Sequence, residues 1–194
     1  GDEVDSRSLR ELVLNAEEVR EARAAWEAFC ASADSREAAG EAIFNAIFES
    51  APALQRLFVT PRAVQDMRFM ASLGGFVQAL DQPGRLLVLV EAVGFGHLNL
   101  EVTAPRVVVF RDAIIKLFEL ELLDKFTEVA RDTWTRLLNY IGGAIIYIKA
   151  HYADRLKILA QSWSKANNKD ATGHKGAADI QETSHSGQER GGRS

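Results

Sequence analysis

E-A-V-G-F-G-H-L-N-L-E-V-T-A-P, from Glu91 to Pro105, is the most informative run in the chain. Upstream of it Leu86, Leu87, Leu89, Val90 and Val93 recur with helical spacing, and Gly94 and Gly96 mark the end of that helix. His97 follows, then a short turn with Asn99 and Pro105, then a second long apolar-periodic segment. The last turn of a helix therefore presents an imidazole beside a loop, with further helices to pack around it. A neutral imidazole so placed can ligate a metal centre. A single histidine near a helix end can equally be an ordinary hydrogen-bonded surface residue, and this run alone does not separate the two readings.

The surrounding composition narrows the class. With 194 residues, 47% of them hydrophobic and 26% charged, the chain can bury a substantial core as one globular domain with tails. A formal net charge of −4 argues against nucleic acid as a partner, which would call for a basic face. Cys30 is the only cysteine, so no intrachain disulfide forms and a reducing compartment is expected. No apolar run approaches the roughly 18 residues that a membrane span needs, and no secretory signal opens the chain. The expectation is a cytoplasmic protein, or a domain cut from a larger one, with no membrane partner.

Helical spacing then accounts for most of the sequence. Residues 1–8 are polar and acidic and are expected to be flexible. From Leu9 the pattern runs through Leu12, Val13, Val19, Ala22, Trp26 and Phe29. Asp34 or Ser35 can cap a second helix reaching about Ser50, in which Gly40 costs roughly 1 kcal/mol against alanine and so suggests a close helix crossing. Pro52 opens a short helical turn to Phe58, and after Pro61 a helix carries Val64, Phe69, Leu73, Phe76, Val77 and Leu80 on one face, with Gly74 and Gly75 inside it. Asp81-Gln82-Pro83-Gly84 is a break before the His97 helix. Val107 to Leu122 is helical, and Asp124 can cap a last long helix running to Trp163. Nothing alternates with period two for long enough to make a strand, so the fold is all-α. The domain is expected over 9–165. From 166 to 194 the composition turns polar, and this tail, with His174 and His185, is expected to be disordered and solvated.

The order of these landmarks resembles the globin family over about residues 10 to 150. Trp26 stands where the first globin helix carries a packing tryptophan. G-E-A-I-F-N-A-I-F-E-S-A-P-A-L-Q-R-L-F, Gly40 to Phe58, resembles the second and third helices, with the crossing glycine, an aromatic at Phe44, the proline and the terminal L-F. V-G-F-G-H-L-N-L-E-V-T-A-P resembles the proximal segment, and the helix containing Trp134 resembles the last one. The resemblance implies haem b (iron protoporphyrin IX) as cofactor, His97 as iron ligand, Phe58 stacked on the haem and Val102 at the porphyrin edge. A haem pocket should be apolar, and Phe44, Phe48, Phe58, Phe69, Leu73, Val93 and Val102 could line it, with Phe48 and Leu73 equally well placed as core. One ring nitrogen of His97 would bind iron while the other donates to a backbone carbonyl about one turn earlier. The opposite face would take a diatomic gas.

On that opposite face, the spacing of ungapped globins of the flavohaemoglobin and neuroglobin type makes Gln65 the distal residue, with Phe69 one turn on, over the haem. An amide donor suits dioxygen. Two departures from the family stand beside this assignment. Phe58 to Gln65 is only seven residues, and Asp66 stands where a small residue is usual. A register three residues later would place Arg68 and Ser72 there instead. No histidine lies in this helix, which argues against bis-histidyl iron, and Met67 is a further conceivable ligand.

The functions implied are those of a carrier, store or sensor of O2, CO or NO, or of a nitric-oxide dioxygenase or peroxidase. A flavin and nicotinamide domain does not fit in the chain, so redox cycling would draw on an external reductase or a fused domain. The competing readings are a haem-free globin-fold signalling or interaction module and an unrelated helical bundle.

Overall fold

The structure is a computed structural model and describes residues 3–58 and 61–178. Its elements are α1 (Ala16–Ser32), α2 (Arg36–Ser50), a 3-10 turn (Pro52–Leu57), α3 (Arg62–Gln78), α4 (Pro83–Gly96), α5 (Ala104–Leu122), a second 3-10 turn (Leu123–Lys125) and α6 (Glu128–Ala178). There is no strand among the described residues, and no helix there is long and apolar enough to cross a membrane. The chain divides into two compact units, Gly1–His151 and Tyr152–Ser194.

Several helix ends follow from side-chain chemistry. Ser35, not Asp34, caps α2, its hydroxyl accepting from the Ala38 amide at 3.0 Å. α1 starts at Ala16 rather than at Leu9, because Asn15 and Glu18 form a reciprocal capping box: Glu18 N donates to Asn15 Oδ1 at 2.9 Å and Asn15 N to Glu18 Oε2 at 2.8 Å. Leu9, Leu12 and Leu14 still pack against the core, so their apolar spacing is real but not helical. Thr127 takes the capping role expected of Asp124, its hydroxyl accepting from Ala130 N at 3.1 Å. At the other end of α3, Arg23 donates to the Val77 and Gln78 carbonyls at 3.1 and 2.8 Å, satisfying acceptors that a helix end leaves open.

Both ends of the chain carry local structure among the described residues. Asp5 forms a tight local turn, accepting from Arg7 N at 3.0 Å and Ser8 Oγ at 3.1 Å, and its backbone lies against Gly143 of α6. Residues 3–8 are thus held by a carboxylate turn and by the space a glycine leaves. At the C-terminal side α6 continues to Ala178, into the stretch expected to be disordered. Propagating an existing helix carries no nucleation cost, so polar residues can extend it. The remainder of that stretch, 179–194, lies outside the described residues. In the second unit Tyr152, Leu156, Ile158, Leu159 and Trp163 are exposed.

Inside the first unit an aromatic core joins α1, α5 and α6. Trp134 is fully buried, donates from Nε1 to the Ala22 carbonyl at 3.1 Å, and lies 5.8 Å from Trp26 and 5.1 Å from Phe118, centroid to centroid. Phe118 also meets Phe29 at 4.7 Å and Phe126 at 5.7 Å. Burying an indole with its N–H satisfied combines a large apolar area with no orphaned donor.

Glycines set the helix crossings. A Cβ on Gly40 would sit 3.0 Å from Asp66 Cβ and from Met70 Cγ, so α2 and α3 touch there, as the cost of a mid-helix glycine suggests. Gly94 faces the Ile148 side chain and Gly142 the Val107 side chain. Gly94 is thus a crossing point within α4, not a helix terminator; Gly96 meets nothing within 4 Å. Of the pair in α3, Gly74 faces the Arg36 guanidinium at 3.0 Å and Gly75 meets nothing.

The α2–α3 crossing buries a charge. Asp66 is 4% exposed, and its Oδ1 lies 3.4 Å from Arg62 Nε without an aligned hydrogen bond. Burial pushes its carboxyl above the ordinary 3.8, Arg62 opposes this, and Glu41 and Glu37 add to it.

Two stability tests follow from this packing. Gly142→Ala would drive a methyl into the stiff Val107 isopropyl group, costing about 1–3 kcal/mol and lowering the melting temperature by several degrees. Gly75→Ala, with open space around it, should be neutral or stabilising; equal losses in the two variants would refute the crossing geometry. For Asp66, a raised folded-state pKa means that ionisation costs the fold above that pKa, and the cost disappears as pH falls towards 3.8. Thermal melts of the wild type should therefore gain on those of Asp66→Asn as pH is lowered from 7 towards 4. A gap that stays constant across that range would contradict the assignment.

Candidate functional site

α4 begins at Pro83, whose missing N–H costs nothing at a first helical position, and ends at Gly96 with His97 as its C-cap. Leu86, Val90 and Gly94 follow at four-residue steps and are buried; Leu89, Val93 and His97 follow at the same steps and are half-buried. The helix therefore puts the imidazole in line with an apolar stripe at the edge of the core, not in open solvent.

His97 Nδ1 lies 2.7 Å from the Val93 carbonyl oxygen. A carbonyl only accepts, so Nδ1 is the donor, and in the neutral ring Nε2 is then the nitrogen available as a ligand. No hydrogen bond to Nε2 occurs among the described residues. The expected backbone partner one turn earlier is thus Val93, and this bond fixes the orientation of the ring.

The turn that follows is pinned from two sides. His97 O accepts from Leu100 N at 3.0 Å, and Leu100 O accepts from Val102 N at 3.1 Å and from Lys149 Nζ at 2.6 Å. Arg106 donates to the Glu101 carbonyl and pairs with the Glu101 carboxylate at 3.4 Å. Neither cation stands out in the sequence, because each acts on a backbone carbonyl and nothing in local spacing announces that.

A phenylalanine cluster is built from α2, the Pro52–Leu57 turn, α3 and α5. The Phe44 ring is 5.3 Å from Phe58, 5.8 Å from Phe48 and 5.1 Å from Phe69. Phe48 meets Phe58 at 5.4 Å, and Phe69 meets Phe110 of α5 at 5.7 Å. Phe44 is fully buried, while Phe48, Phe58, Phe69 and Phe110 are half-buried at the margin of the core. Sequence reasoning misses Phe110 as a member of this cluster; an aromatic within the apolar stripe of α5 is the signal that could have found it. Leu73 is buried in the core, one of the two roles expected of it.

Along α3 the exposure pattern separates two stripes. Gln65 and Phe69 are half-buried, and no described residue hydrogen-bonds the Gln65 side-chain amide. Met67, Arg68 and Ser72 are exposed. Of the residues singled out in the sequence, the structure brings Phe44, Phe58 and Phe69 into one cluster and ties His97 to Val93, which packs against the same core. Val102 is half-buried in the turn before α5. The described contacts do not join Gln65 or Val102 directly to His97.

No curated protein matches the chain. A model of the globin family does, over residues 41–145, which is more than half of the sequence and takes in every candidate residue from Phe44 to Val102. Spanning the helices that carry both the His97 turn and the phenylalanine cluster, the match makes this chain a member of the globin family.

Proposed function

We propose that the protein binds haem b through His97 and takes up a diatomic gas on the opposite face. The observation that carries this reading is the 2.7 Å contact from His97 Nδ1 to the Val93 carbonyl, which holds the ring in one orientation and leaves Nε2 as the nitrogen that would meet iron. The donor set suits this group. No three His, Cys, Asp or Glu side chains cluster as ligands among the described residues, and a haem would ask only one side chain, His97, of the protein. Half-buried Phe58, Phe69, Val93 and Val102 offer the apolar surface that a porphyrin disc would cover. When bound, haem would supply the iron that takes up a gas reversibly.

The remaining work falls to the chain. Val93 O holds the His97 ring. Phe44, Phe58 and Phe69 keep water away from the opposite side. Gln65 offers an amide N–H to a polar gas, and the exposure of Arg68 and Ser72 supports Gln65 over the register three residues later. An external reductase or a fused domain would serve any redox cycle.

The purified protein reconstituted with haem should show a Soret band, and His97→Ala should lose stable haem or retain it only loosely. Free imidazole should partly restore the ferrous spectrum of that variant. A wild-type ferrous spectrum in His97→Ala would eliminate His97 as the ligand, and no Soret band in the wild type would favour a haem-free module.

Gln65→Leu removes the amide donor at similar volume. A hydrogen bond of this kind is worth roughly 1–1.5 kcal/mol, so dioxygen should leave about five- to tenfold faster while carbon monoxide, being less polar, changes far less. Arg68→Leu should alter neither rate strongly. The reverse pattern in stopped-flow measurements would shift the register by one turn and place Ser72, not Phe69, over the haem.

A further inference from the structure

The connection from the Pro52–Leu57 turn to α3 is short, and α3 starts without a side-chain cap: Pro61 occupies the N-cap position and offers no hydrogen bond. A helix that begins so abruptly needs another device to fix its rotation about its own axis. Arg62, its first residue, supplies one. Its guanidinium donates from Nη2 to Asn45 Oδ1 at 2.8 Å and towards the Glu41 carbonyl at 3.5 Å, both on α2. It also lies 5.5 Å above the Phe44 ring and 5.1 Å above the Phe48 ring, within reach of a cation–π attraction. One turn on, Asp66 is buried against Gly40 of α2 and pairs with Arg62 Nε at 3.4 Å. A planar guanidinium can serve the carboxylate, the amide oxygen and the ring faces together, whereas a carboxylate buried without it would be uncompensated.

We propose that Arg62 and Asp66 form a positioning clamp that locks the rotation of α3 on α2 and so sets which α3 residues face the gas-binding side. The proposal rests on the haem reading above. It also explains the two departures from the family: the short connection leaves α3 without a guide, and the carboxylate found where a small residue is usual is half of the guide. The clamp grips α3 at 62 and 66. Gln65 and Phe69 lie on the neighbouring stripe of the same turns, and Phe69 touches Phe44, the ring beneath the Arg62 guanidinium. Releasing the pair should let α3 rotate, blurring the choice between Gln65 and Arg68.

The test compares wild type with Arg62→Ala, Arg62→Lys and Asn45→Ala, the last removing one anchor while leaving the carboxylate paired. In the haem-loaded protein, Arg62→Ala should keep the His97-dependent ferrous spectrum. It should broaden or split the carbonyl stretching band of the CO form, and it should release dioxygen about five- to tenfold faster. Arg62→Lys, which keeps the charge, should return most molecules to one band, and Asn45→Ala should fall between it and wild type. In the apoprotein, amide hydrogen exchange over 62–69 should speed up about tenfold in Arg62→Ala while α1 is unchanged. A single unshifted band together with wild-type exchange rates would overturn the proposal. Faster exchange with an unaltered band would reduce the pair to a helix cap and overturn its positioning role. Wild-type protein that takes up no haem would instead overturn the haem reading, and the exchange comparison would still decide whether the clamp holds α3.

Discussion

The contact of α2 with α3 at Gly40 is the constraint on which the candidate site depends. Without a side chain at that position the helices approach until Asp66 and Met70 rest on the glycine backbone. This approach brings Phe44 on α2 against Phe69 on α3, with Phe58 from the intervening turn closing the cluster. A larger residue at position 40 would separate the helices and open the cluster, because packed interiors have no slack to absorb it. The buried carboxylate follows from the same geometry, since an aspartate at 66 has nowhere to go but the crossing, and the guanidinium of Arg62 is what makes its burial tolerable.

Across the molecule a different chemistry holds the other half of the site. Trp134, Trp26, Phe29 and Phe118 tie α1, α5 and α6 into a dry aromatic core. That core gives α6 a fixed position, from which Ile148 meets Gly94 and Lys149 reaches the Leu100 carbonyl. The His97 turn is thus positioned from behind by α6 and oriented from within by Val93. Rigid helices carry the imidazole and the phenylalanines, while Gln65, the amide we propose as donor to the gas, lies in the first turns of a helix that has no side-chain cap.

Legibility tracks the distance over which each feature is set. His97 at a helix end, its backbone partner one turn back, and the apolar character of Val93 are properties of one helix and are readable from residue spacing. Phe44, Phe58 and Phe69 are readable as apolar positions, for which the family resemblance implies a pocket role; their ring-to-ring contacts and the part played by Phe110 are not readable. The choice between Gln65 and Arg68 rests on spacing alone in the sequence, and the exposure of Arg68 and Ser72 on the outer stripe of α3 adds the argument that spacing lacks.

By itself the sequence determined an all-α chain, the breaks at Asp34-Ser35 and Asp81 to Gly84, and much of the buried face of the helices, because helical periodicity and turn residues act within a few positions, although Val64 of α3 and Leu156, Leu159 and Trp163 of α6 are exposed. It contained the Asn15–Glu18 capping box as well, although the apolar spacing of Leu9 and Leu12 masked it. The tertiary structure alone decided that Leu9, Leu12 and Leu14 pack without forming a helix and that Asp5 settles against Gly143. It also decided that Arg62 grips α2 and that Lys149 pins the turn after His97. Each of these joins residues far apart in the chain through the angle and rotation at which two helices meet. That angle is set by the whole core at once, and no local pattern encodes it.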